Sequence, residues 1–179
     1  MLTILREFRA ILFEVEPPEL VQQLKEHLFA SIGISIVLAA LTAWVLSNSV
    51  PHHLLWIWAG LQLTFAVARV HIVKLIASSD ASQQKFIVLK LYYTALMLVI
   101  GVTWGGASVL ASIYSPEITL VTIALIIAGL GGGAVSTLTP VFSGFATFFF
   151  GSALTLSIAM FFSPYEVMVV MSPVVLLYT

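Results

Sequence analysis

Gly129, Gly131 and Ala134, in the stretch AGLGGGAVSTLTP at 128–140, stand at the spacing of G-x-G-x-x-G/A, whose backbone N–H groups cradle a dinucleotide pyrophosphate. That chemistry requires a short buried strand before the glycines and an amphipathic helix opening after them, inside a βαβ unit. The flanks supply neither. No Asp, Glu, Lys or Arg falls between Glu117 and Glu166, a charge-free run that a soluble nucleotide domain with solvated loops does not carry. These residues are therefore expected to be packing glycines inside a membrane, with no cofactor bound.

Other residues that suggest chemistry are equally sparse. His52 and His53 lie side by side in a turn and share one expected membrane side with Glu117 and Glu166. A metal site needs three or four converging ligands, so the adjacent histidines read as a solvated turn and no metal is assigned. His71 sits among cations and reads as an interfacial helix end. No nucleophile, base and orienting acid form a recognisable set, so no catalytic residue is assigned and the chain reads as no enzyme. With no cysteine there is no disulfide, thiol catalysis or thiolate metal site.

The elements that position these residues follow from composition. Of 179 residues, 60% are hydrophobic and 8% charged, against roughly 25% charged in a soluble domain. The mean hydropathy is +1.11. These values predict an all-α, polytopic helical membrane bundle. A formal net charge of −1, with dispersed cations, excludes a nucleic-acid partner. Windows long enough for the roughly 20 residues of a spanning helix fall at 28–46, 54–76, 90–111, 118–138 and 141–162. A sixth, 167–179, is incomplete, so the expectation is five complete transmembrane helices and a partial sixth in a bundle over 18–179. Residues 1–17 place Leu2, Leu5, Phe8, Ile11, Leu12 and Val15 at helical spacing among charges. They read as an amphipathic helix on the cytoplasmic face, with Pro18 opening the next helix. No cleavable signal peptide is evident, so the first span is expected to insert the chain.

Arg6, Arg9 and Lys25 precede the first span, while Arg69, Lys74, Lys85 and Lys90 flank the second connection. These are all seven basic residues, and the alternate loops SNSVPHH, SIYSPE and SPYE carry none. As topology anchors they predict a cytoplasmic N-terminus in a bacterial inner membrane. Arg69 and Lys74 are expected to snorkel to the inner interface, leaving no ionisable group at mid-helix depth. That absence argues against a proton-coupled carrier or pump. Gln62, polar and near mid-membrane, reads as an interhelical hydrogen bond. Trp56 and Trp58 suit an interfacial belt.

Gly101, Gly105 and Gly106, with Gly129 and Gly133, form small-residue faces containing two G-x-x-x-G spacings that let backbones approach closely. The third and fourth helices are thus expected to pack tightly, on each other or on neighbours, with Trp104 filling the space that the glycines leave. A ligand groove between these helices is the alternative. Phe145, in FATFFF at 145–150, faces lipid or helps line an apolar pocket with Phe142 and Trp104.

Taken in order, VPHHLLWIWAGLQLTFAVARV, VTWGGASVL and LIIAGLGGGAVSTLTPVFSGFATFFFGSAL resemble the N-terminal multi-helix membrane sensor domain of bacterial sensor histidine kinases and GGDEF-type diguanylate cyclases. The matching positions are Val50 and Pro51, Arg69, Trp104 and Gly105, Gly129 to Gly133, Pro140 and Phe145. The resemblance covers most of the chain from about Pro18 and implies a sensory input domain. Such a domain relays a signal by helix repacking to a cytoplasmic kinase or cyclase domain absent from this chain, in a receptor that is a homodimer. No linker, phospho-acceptor histidine region or GGDEF-like motif is present, and no binding residue is carried over. The apolar, uncharged walls make a hydrophobic small molecule the more plausible signal. The alternative functions are a small carrier or channel subunit and a passive membrane anchor.

Overall fold

Apolar runs separated by short polar or proline-bearing connections become six α-helices, with no strand, among the described residues. The computed structural model describes residues 18–78, 83–138 and 142–177. The helices are α1 (Pro18–Leu46), α2 (His52–Ser78), α3 (Gln83–Tyr114), α4 (Glu117–Leu138), α5 (Phe142–Phe161) and α6 (Glu166–Leu177). Pro18 opens α1, the position where a missing N–H costs nothing. The interfacial helix expected over 1–17, with Arg6 and Arg9, lies outside the described residues, as do Pro140 and the side chains of Lys25 and Lys85.

Three turns share one construction. The Pro51 carbonyl accepts Leu54 N at 3.0 Å and Leu55 N at 3.3 Å, Pro116 O accepts Thr119 N at 2.9 Å, and Tyr165 O accepts Met168 N at 3.0 Å. Each meets N–H groups that a helix start leaves unbonded. The Tyr165 hydroxyl donates to Ser115 O at 3.2 Å, which ties the α5–α6 turn to the α3–α4 turn at one end of the bundle.

Four helices hold stretches long and apolar enough to cross a bilayer: Glu26–Leu46, His52–Ile76, Ile87–Tyr114 and Phe142–Phe161. They mark the chain as a membrane protein. The apolar stretches Glu117–Gly133 of α4 and Glu166–Val175 of α6 are shorter. Burial separates the four into two kinds. Half of the α5 window and 44% of the α3 window are buried, against 17% for α1 and for α2. The centre is therefore a parallel pair, α3 and α5, with the most extensive contact in the bundle. Outside it, Phe29, Val37 and Trp44 on α1, and Trp56, Ile57 and Val67 on α2, project away from the protein. An apolar surface of this extent belongs in hydrocarbon rather than water.

Candidate functional site

The α3–α5 seam is built from residues too small to hold helices apart. A Cβ added at Gly101 would overlap the Phe148 carbonyl. One at Gly105 would lie 2.5 Å from Thr155 Cβ and 2.9 Å from Ser152 O, and one at Gly151 would lie 2.8 Å from Leu98 O. Gly144 meets the Tyr93 ring in the same way, at 2.7 Å. Hydroxyls close the seam: Thr94 and Ser143 are hydrogen-bonded at 3.0 Å, and Thr147 donates to the Thr94 carbonyl at 3.1 Å. In hydrocarbon, where water cannot drive helices together, this close packing with hydrogen bonds is what associates them.

The glycines and aromatics singled out by spacing separate into three groups. Gly101 and Gly105 belong to the seam, and the partner of α3 there is α5 rather than α4. Trp104, Gly129 and Gly133 line one cavity of about 70 Å³, together with Ser31 and Ser35 of α1 and Arg69 of α2. Gly106 belongs to neither, with nothing within 4 Å of an added Cβ, and the same is true of Gly129 and Gly133 beside the cavity. Phe145 joins a row of rings on α5, 5.9 Å from Phe149 and 6.4 Å from Phe142. Gly131 faces the Phe149 ring. Of the three consecutive phenylalanines, Phe148 is buried and Phe150 is half exposed, as a continuous run on one helical turn requires.

Arg69 overturns one expectation. The sequence predicts that it snorkels from a basic helix end, yet it is only 6% exposed and donates through a terminal guanidinium nitrogen to Ser31 Oγ at 2.9 Å. The cause is phase along α2. Leu55, Trp58, Gln62, Arg69, Val73 and Ile76 recur at three-, four- and seven-residue steps and form its buried stripe. His71 and Lys74 fall off that stripe and are exposed. Arg69 lies seven residues, about 10 Å along the axis, inside the Ile76 end of the His52–Ile76 stretch. Lys90, an expected anchor, is also buried, on the α3 face that carries Tyr93, Thr94 and Met97. Two cations expected at the interface are therefore buried in the bundle instead.

The same stripe corrects the tryptophan belt. Trp56 is 77% exposed, as a belt residue would be, but Trp58 is buried. Its indole N–H donates to the Thr103 carbonyl at 2.8 Å and its ring meets Trp104 edge-on, with centroids 5.5 Å apart. The ring contact and the hydrogen bond together hold α2 against α3. Gln62 is buried as expected, but its Nε2 finds no hydrogen-bond partner among the described residues.

His52 and His53 are exposed, and no group of three or more His, Asp or Glu side chains converges among the described residues. The site is thus a small, largely apolar cavity beside a tight helix seam, with a guanidinium and two serines at one side and tryptophan at another. No protein-family model, curated protein or solved structure matches the chain.

Proposed function

We propose that this chain is a membrane-embedded input module of a bacterial signalling receptor, a sensor histidine kinase or diguanylate cyclase, that passes a signal to a cytoplasmic output domain by repacking helices. The observation that carries this reading is that α5 packs on both α3 and α6. The seam with α3 is closed at the level of backbone atoms. On its other side α5 holds α6 through the buried Met168 and a hydrogen bond from Ser172 Oγ to Ser157 O at 2.9 Å, beside an open apolar groove that Met168 and Met171 help line. Pro173 removes one backbone hydrogen bond from α6 itself. A shift of α5 against α3 is therefore passed to the last helix, which packs on α5. In this reading α4 crosses as a fifth complete span and α6 begins a sixth, which continues towards the output domain, and both termini of the receptor are cytoplasmic.

A ligand shifts such an equilibrium only as far as it binds one packing better than the other. The test is the output of the receptor carrying Gly105→Leu, which wedges the seam, against Gly106→Leu, which meets open space. The expected result is an output altered at least several-fold by the first and unaltered by the second. Equal outputs from two folded variants would contradict the helix-packing relay.

A second reading, a small membrane carrier for anions, draws on the buried Arg69. Uptake of an anion into proteoliposomes that is abolished by Arg69→Gln would favour it over the receptor.

A further inference from the structure

A guanidinium inside a bundle requires an anion or a full set of acceptors, because an unpaired charge among apolar side chains is costly. Arg69 places one donor on Ser31 Oγ, while its Nε meets no acceptor among the described residues. The buried Tyr93 hydroxyl lies beside Arg69 but does not line the cavity. The Nε–H can only donate a hydrogen bond. Among the described residues no Asp or Glu lines the cavity at Arg69, and the walls away from it, Met97, Trp104 and Phe148 among them, are apolar. On the α4 side the wall is Gly129 and Gly133, where an added Cβ would meet nothing within 4 Å. On the α1 side is Ile34, itself 58% exposed. The opening thus faces sideways between α1 and α4, towards hydrocarbon.

We propose that this cavity binds the carboxylate of a single-chain amphiphile entering from the bilayer, its head on Arg69 and its chain leaving between α1 and α4 past Gly129 and Gly133. A carboxylate accepts only, and it supplies the acceptor that Arg69 Nε lacks. The volume of about 70 Å³ admits a group of that size, or about two waters. Binding stands independently of the receptor reading; only its consequence, a ligand-dependent output, rests on that reading. A chain that binds and drives no output sinks the receptor and keeps the site. An output indifferent to an amphiphile that does not bind sinks the site alone.

The experiment is equilibrium binding of radiolabelled dodecanoate to the protein in phosphatidylcholine nanodiscs, with empty nanodiscs as the blank. The expected result is one saturable site, weakened about tenfold or more by Arg69→Gln and by Gly133→Leu, and largely retained by Arg69→Lys. Unlabelled dodecanoate competes, while methyl dodecanoate, which lacks the charge, does not. Binding that methyl dodecanoate displaces equally well is lipid partition and overturns the proposal. Displacement by phosphatidylglycerol at equal concentration moves the site to a lipid phosphate and overturns the carboxylate. No saturable binding leaves a water-filled cavity and overturns it entirely. If Arg69→Gln does not yield a monodisperse protein, the ester comparison on the wild type decides.

Discussion

Gly101 and Gly106 sit on one helix within two turns of each other, and a methyl group would have opposite consequences at each. At Gly101 it meets the Phe148 carbonyl, a backbone atom that moves only if α5 moves; at Gly106 it meets nothing. Gly101→Ala should therefore cost about 1–3 kcal/mol, in the range of overpacking. Gly106→Ala should be neutral or stabilising by up to about 1 kcal/mol through helix propensity. Thermal unfolding of the two variants in one detergent reads the difference, and equal midpoints would mean that the seam is not a tight contact. Trp58→Phe removes both the indole N–H and part of a buried ring, and should cost about 2–3 kcal/mol, whereas the same change at Trp56, which projects outward, should leave the midpoint where it is.

At the scale of elements, the parallel α3–α5 pair is the rigid unit. The chain has no cysteine, and the Thr94 and Ser143 oxygens lie 3.0 Å apart, so Thr94→Cys with Ser143→Cys should form a disulfide readily under mild oxidant. A pairing of Thr94→Cys with an outward residue such as Phe150→Cys should not. Absence of the first cross-link would remove the pair from the centre of the fold. The helices themselves were legible in the sequence, because apolar runs bounded by Pro51, Pro116 and Pro164 admit little else, and their bounds fall within a few residues of the expected windows except at α1 and α3, which start earlier. Pairing was not legible. The G-x-x-x-G of Gly101 and Gly105 announces a close approach without naming the partner. That partner uses Gly144, Thr147, Gly151 and Thr155, a small face on α5 that a search for paired glycines passes over. The buried Arg69 was legible in principle. It stands seven residues from Gln62 and eleven from Trp58, on a stripe that a helical projection reveals, but a basic side chain near a helix end invites the interfacial reading first.

For the whole molecule, charge placement and the Tyr165–Ser115 tie agree on which turns lie together, while the membrane side they face rests on the basic residues alone. In the proposed orientation, His53→Cys and Pro164→Cys react with an impermeant maleimide added outside intact cells, and Lys74→Cys reacts only after permeabilisation. The reverse pattern would invert the bundle and place any output domain outside. The central claim, that the α3–α5 seam controls an output domain joined to the end of α6, is tested most directly by fusing residues 1–179 to a diguanylate cyclase domain through linkers spanning one heptad. Cyclase activity in membranes is then compared with the Thr94→Cys, Ser143→Cys disulfide formed and reduced. A relay through the seam predicts a reversible, several-fold change in activity for at least one linker length. Activity indifferent to the disulfide at every linker length, with the cross-link shown to be complete, would contradict it and leave the chain a passive anchor.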